Sequence, residues 1–180
     1  MSAPTAEAVL IVDLQIGMMD GARFPPLPDH ERLLARARTL IAWARASGRD
    51  LLFVRHDGPP GEALAPGAPG WDLHPGLGRR DTETIIAKNV GDAFAETDLA
   101  DRLRARGVTG VVIAGAQTDE CVLATIKGAL GHGFAVRVAA DAHGTWGYGG
   151  KTAAEIIALH NGLYAAAGAT VADAADIVAS

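Results

Sequence analysis

A chain of 180 residues, 49% hydrophobic and 21% charged, is long enough for one domain with a full core, and its composition excludes a disordered or fibrous protein. A net charge of -5 gives no electrostatic footprint for nucleic acid, and the arginines alternate with acidic or apolar positions. The single cysteine excludes an internal disulfide, and no apolar run approaches the roughly 18 residues that span a bilayer.

The expectations are therefore a single domain over residues 1–180, no nucleic-acid partner and no membrane partner. The opening Met1-Ser2-Ala3-Pro4-Thr5-Ala6-Glu7 lacks the basic and apolar regions of a signal peptide, so a reducing cytoplasm is the expected location.

Ala8-Val9-Leu10-Ile11-Val12 is an apolar run of strand length, as in a parallel sheet buried on both faces, and it ends at Asp13. A carboxylate just past a central strand lies where open α/β sheets build their sites, although a helix cap or a solvated loop residue would also sit there. Residues 17–28 read as a loop, because Phe24-Pro25-Pro26-Leu27-Pro28 cannot continue a helix or a central strand. Asp29 is placed to cap a helix that buries Leu33, Ala37, Leu40, Ile41 and Ala44 and stops at Gly48. Trp43 on that helix reads as packing.

Leu51-Leu52-Phe53-Val54 is a second buried strand, followed by Arg55-His56-Asp57 and a glycine- and proline-rich stretch to Gly78 that is long enough to suggest function. Trp71 and His74 in it either line a pocket or anchor the loop. Thr84-Ile85-Ile86-Ala87 makes a third strand with Lys88 at its end, repeating the placement of Asp13. Thr97 or Asp98 caps a helix that carries Leu99 and Leu103 inward and ends at Gly107.

Val111-Val112-Ile113-Ala114 leads through Gly115-Ala116-Gln117-Thr118-Asp119-Glu120 into Cys121 and an alanine- and leucine-rich helix broken at Gly131-His132-Gly133. A cysteine on the first helical turn meets unpaired N–H groups and a favourable dipole, which stabilise a thiolate. A lone cysteine is otherwise an inert buried hydrophobe. Ala135-Val136-Arg137-Val138-Ala139 forms a fifth strand, off which Asp141-Ala142-His143-Gly144-Thr145-Trp146 trails, and residues 152–166 are helical before a sixth strand at Thr170-Val171-Ala172. Alternating strands and helices imply a parallel sheet covered on both faces.

Asp13, Lys88 and Cys121 each follow an apolar strand and so share one rim of that sheet. A carboxylate that takes a thiol proton beside a lysine is a catalytic grouping. The chain here resembles the isochorismatase-like cysteine hydrolases, which include nicotinamidases and other small amidases. The likeness rests on Val9-Leu10-Ile11-Val12-Asp13-Leu14-Gln15, on Lys88 with Gly91-Asp92-Ala93-Phe94, and on Ala114-Gly115-Ala116-Gln117-Thr118-Asp119-Glu120-Cys121-Val122.

The resemblance implies a three-layer α/β/α, Rossmann-like fold with a six-stranded parallel sheet in the order 3-2-1-4-5-6. It implies Asp13 as general base, Lys88 as its electrostatic partner and Cys121 as the nucleophile that attacks a small-molecule amide through a thioester. Backbone N–H groups of Gln117 and Cys121 would hold the oxyanion, and the Ala116–Gln117 peptide would be cis. A homo-oligomer, dimer or higher, is expected, with no cofactor.

Nicotinamidases resemble one another in a D-x-H plus His metal site after the second strand. This chain has Arg55-His56-Asp57 and a distant His74, so no metal is expected, and whether either histidine meets ligand is open. Phe24, Trp71, Phe94, Trp146 and Tyr148 are the expected pocket walls. Relatives that cleave the isochorismate vinyl ether do not need the cysteine, which favours an amidase over an isochorismatase-type or other non-amide hydrolase. An oxidoreductase is opposed by the absence of a dinucleotide fingerprint after the first strand, and a silent ligand binder by the presence of all three residues.

Overall fold

The computed structural model describes residues 6–180; residues 1–5, on which most of the reading of the chain's start rests, lie outside the described residues. Six parallel strands form one sheet in the order β3-β2-β1-β4-β5-β6. They are β1 (Glu7–Val12), β2 (Asp50–His56), β3 (Thr84–Lys88), β4 (Gly110–Ala116), β5 (Ala135–Gly144) and β6 (Thr170–Ala172). The helices are α1 (His30–Ser47), α2 (Leu99–Ala105), α3 (Leu123–Gly131), α4 (Ala153–Ala166) and α5 (Ala174–Ala179).

The apolar runs become central strands because both of their faces are buried. In β1, Ala8, Leu10 and Val12 join one core with Leu99 and Leu103 of α2, Ile126 of α3 and Tyr164 of α4. Val9 and Ile11 point the other way, onto Leu33, Leu40 and Ile41 of α1 and Ile177 of α5. The period of two therefore feeds two helical layers at once. Among the described residues no helix is long and apolar enough to cross a membrane.

Three local readings differ from the sequence pattern, and a fourth is narrowed. Asp29 takes a left-handed conformation and makes no capping bond, so α1 starts uncapped at His30. Of the two cap candidates for α2, Asp98 stands at the N-cap position but makes no side-chain cap bond, and Thr97 Oγ1 accepts the Leu99 N–H at 3.3 Å. A π-helical turn, Thr118–Val122, precedes α3, so Cys121 sits in a widened turn rather than at a regular helix start. Strand β5 does not end at Ala139: its register on β4 shifts between Ile113 and Gly115, and after this irregularity Gly115 pairs with His143 and Ala116 with Gly144.

The order of strands puts β1 beside β4, where the chain's winding reverses. Crossovers leave this point in opposite directions, which opens a crevice at the carboxyl ends of the two strands. Asp13 and Cys121 follow those two strands.

Candidate active site

Asp13 leaves β1 with φ of 51°, a left-handed conformation that aspartate tolerates better than most residues, and its side chain is buried. Its backbone N–H donates to the Val54 carbonyl of β2 at 3.0 Å, which fixes the bend. Lys88, the last residue of β3, is one strand further out, opposite His56 in the β2 register. Only a long side chain reaches β1 across two strand spacings of about 4.8 Å each.

Its ammonium arrives with all three protons engaged. Lys88 Nζ lies 2.6 Å from Asp13 Oδ2, 3.1 Å from the Val90 carbonyl oxygen and 3.4 Å from Cys121 Sγ. The Lys88–Asp13 pair is shielded from solvent, with side-chain exposures of 0% and 2%. The other Asp13 oxygen, Oδ1, is buried with no hydrogen-bond partner among the described residues.

Burial pushes the Asp13 carboxyl above its ordinary range, against the pull of the Lys88 ammonium. Burial likewise pushes the Cys121 thiol up to about 12, helped by the Asp13 charge and opposed by Lys88. The direction of this shift runs against the helix-start argument for a thiolate, because burial disfavours the charged form. A thiol beside a carboxylate with a free oxygen can pass its proton to that oxygen.

The turn before the cysteine is shaped by two backbone features. The Ala116–Gln117 peptide is cis, and Gly115 has φ of 143°. A Cβ at Gly115 would stand 2.0 Å from the Val12 carbonyl oxygen, so only glycine lets β4 approach β1 here.

Cys121, Asp13, Ala116 and Gln117 line a cavity of about 480 Å³, a size suited to a small molecule. Of the aromatic residues expected in its walls, Phe24 lines it. Trp146 stands behind Phe24 with ring centroids 6.1 Å apart and donates its Nε1–H to the Pro25 carbonyl at 2.7 Å, bracing that loop. Trp71 does not line the cavity: its Nε1–H is held by Asp57 at 2.7 Å and the Arg55 guanidinium covers its ring at 3.7 Å. Tyr148 is exposed, outside the lining.

Phe94 belongs to the core, against Phe134 and His132. Asp92 Oδ1 accepts the Phe94 N–H at 2.8 Å and turns the chain there, so the Gly91-Asp92-Ala93-Phe94 segment holds a turn rather than a pocket wall. The remaining lining comes from residues not singled out for the pocket: Met18, Arg23, Glu62, Ala63, Leu64 and Glu120. All but Glu120 lie on the segments between β1 and α1 and between β2 and β3, whose meeting no periodicity announces.

His56 also lines the cavity. Burial and then the nearby Lys88 charge lower its pKa, so it is neutral at physiological pH. His74 is elsewhere, its Nδ1 accepting the Gly76 N–H at 3.0 Å to cap a short 3-10 turn, Pro75–Leu77. The two histidines thus serve different elements, and among the described residues no three His, Cys, Asp or Glu side chains group as metal ligands. The residues present do not fit the nicotinamidase type of metal site.

Gln15 is a structural member of the site that motif reading left without a role. Fully buried, it donates Nε2–H to the carbonyls of His56 (2.9 Å) and Trp71 (2.6 Å) and accepts the His56 N–H at 2.9 Å. It clamps β2 and the long loop to the end of β1. Gln15→Leu should cost about 2–4 kcal/mol by orphaning these buried groups, measured as a lower urea midpoint; an unchanged midpoint would show that the clamp carries nothing.

A doubly wound parallel sheet with a thiol, a carboxylate and an ammonium grouped at its switch point defines a class of α/β domains with a candidate site at the carboxyl rim of the sheet. The chain belongs to the isochorismatase family: residues 7–176 match the Isochorismatase domain. It is 38% identical over 152 residues to streptothricin hydrolase of Streptomyces noursei, covering 81% of this chain and 60% of that protein. It is 29% identical over 174 residues to ureidoacrylate amidohydrolase RutB of Methylobacterium radiotolerans, covering 77% and 67%. An isochorismatase-like protein of Burkholderia xenovorans has the same fold, with TM-score 0.90, 29% identity and coverage of 98% of this chain and 88% of that one. The chain spans 50 to 60% of the length of the two streptothricin hydrolases it matches.

Proposed function

We propose that this isochorismatase-family hydrolase cleaves a C–N amide bond of a small molecule through a thioester on Cys121. The observation that carries the reading is the contact of Lys88 Nζ with both Asp13 (2.6 Å) and Cys121 (3.4 Å) at the wall of the cavity. The amidohydrolase name of one relative supports the bond type.

Asp13 accepts the thiol proton as Cys121 Sγ bonds to the amide carbon. The resulting oxyanion takes hydrogen bonds from the Gln117 and Cys121 N–H groups, one such donor being worth about 3 kcal/mol of the barrier. The C–N bond then breaks and the amine leaves with the proton from Asp13. Water adds to the thioester, Asp13 takes its proton, and the acid departs as the thiol is restored. Lys88 holds the carboxylate in place and keeps it ionised despite its burial.

Ammonia release from a panel of small primary amides, with Cys121→Ala as control, tests the reading. Since Asp13 must be ionised and burial raises its pKa, kcat/KM should fall on acidification with a midpoint above the ordinary carboxylate value of about 4. Burial pushes the thiol up to about 12, so no limb should appear near pH 8 to 9. A rate rising with an inflection there would mean that a preformed thiolate attacks.

A further inference from the structure

Beneath the cysteine turn lies a buried polar chain that the proposed reaction does not use. Thr118, the first residue of the π-helical turn, places its Oγ1 2.9 Å from His143 Nδ1, and its carbonyl accepts the Tyr164 hydroxyl. His143 Nε2 lies 2.8 Å from Asn161 Oδ1, and Asn161 Nδ2 donates to the Ala140 carbonyl at 3.2 Å. Thr118, His143 and Tyr164 are all buried.

The proton positions along this chain follow from donor capacity. Asn161 uses its amide on Ala140, so the atom facing His143 is the acceptor oxygen, and Nε2 must carry the imidazole proton. Nδ1 is then an acceptor, and the Thr118 hydroxyl must donate to it. A second bond, from Tyr164, holds the carbonyl of the same residue. Thr118 is thus held at side chain and backbone by groups on β5 and α4, with its neighbour Gln117 on one side and Cys121 three residues on.

The shift in the β4–β5 register makes this meeting: it brings His143 opposite Gly115, directly below the turn, rather than beyond the sheet's end. Burial lowers the His143 pKa to about 4, in keeping with a neutral ring.

We propose that His143, held as the Nε2–H tautomer by Asn161, is a positioning residue that fixes the nucleophile turn through Thr118. The proposal rests on the cysteine-hydrolase reading for its kinetic effect. It touches neither the carbonyl nor the leaving group. It sets where the Gln117 and Cys121 N–H groups and the sulfur stand, a matter of fractions of an ångström to which catalysis is sensitive.

Thr118→Val keeps the shape and removes the donor, and Thr118→Ser keeps the donor. Tyr164→Phe, which leaves the ring in the core, is a second variant should Thr118→Val not fold. Three readouts are needed: kcat and KM on an amide the parent hydrolyses, the rate of Cys121 alkylation by iodoacetamide at pH 8, and the His143 tautomer from long-range ¹⁵N–¹H spectra.

The expected result is an Nε2–H signature in the parent, kcat at least tenfold lower in Thr118→Val with KM within twofold, and recovery to within threefold in Thr118→Ser. Alkylation should move the opposite way, rising at least fivefold in Thr118→Val, because a loosened turn lets water reach the thiol. Tyr164→Phe should follow the same pattern with a smaller amplitude. An Nδ1–H tautomer in the parent, or a folded Thr118→Val within twofold of the parent in both rates, would overturn the proposal. So would rates that only track the unfolded fraction. If the parent hydrolyses no amide, the reaction reading fails, and alkylation with the tautomer decides the positioning role separately.

Discussion

Cys121→Ala is expected to abolish hydrolysis, lowering kcat by at least about 10³-fold, while leaving the fold in place. The side chain is only half-buried and stands in a turn whose shape is set by Gly115 and the Thr118 contacts. A small residue fits there, so the change in unfolding free energy should stay within about 1 kcal/mol. Loss of activity with an unchanged thermal transition supports the nucleophile assignment. Turnover at the parent's rate would return Cys121 to the role of a small hydrophobe.

Lys88→Met should have the second-largest effect, and it acts through charge. Methionine replaces most of the stem but leaves the buried Asp13 carboxyl without its cation. Removing one partner of a buried pair costs about 3–5 kcal/mol where the remaining group stays ionised. Asp13 avoids part of this by taking up a proton, since burial already raises its pKa and Lys88 is the main group that lowers it. An acid with a raised native pKa loses stability as pH climbs from its unfolded value of about 4 through the native one. The deficit of Lys88→Met relative to the parent should therefore grow from pH 5 to pH 8. Activity should fall at least 100-fold at neutral pH, because a protonated Asp13 cannot accept the thiol proton. A pH-independent deficit, or an unchanged profile of iodoacetamide reactivity against pH, would show that Lys88 matters only through packing.

The layout behind both expectations was legible in particular residues. The apolar runs at 8–12, 51–54 and 111–114 end in changes of chemistry, and a polar residue can follow a doubly buried strand only at its rim. Asp13, Lys88 and Cys121 were found this way, and the structure brings their side chains together. Their electrostatics are not read in the same manner: the thiol's position before a helix favours ionisation, while burial, which no spacing announces, pushes its pKa up.

Phe94 misled because an aromatic beside a motif lysine looks like a pocket wall, whereas the Asp92 turn rotates it into the core. Met18, Arg23, Glu62 and Leu64 carry no periodic signal, since irregular loops bring them to the cavity. His143 sits past an irregularity in strand pairing, which a count of alternating residues along β5 does not reveal. The short helix α5 follows β6 with too few residues to show a helical period.

The central claim is that Cys121 forms a covalent acyl intermediate. Rapid acid quench during turnover of any amide the panel identifies, followed by peptide mass spectrometry, reads this directly. The proposed mechanism predicts a mass increase equal to the acyl group on the peptide containing Cys121, absent in Cys121→Ala and lost on treatment with hydroxylamine. Full turnover with no modified Cys121 peptide at any quench time, under conditions that preserve a reference thioester, would contradict it.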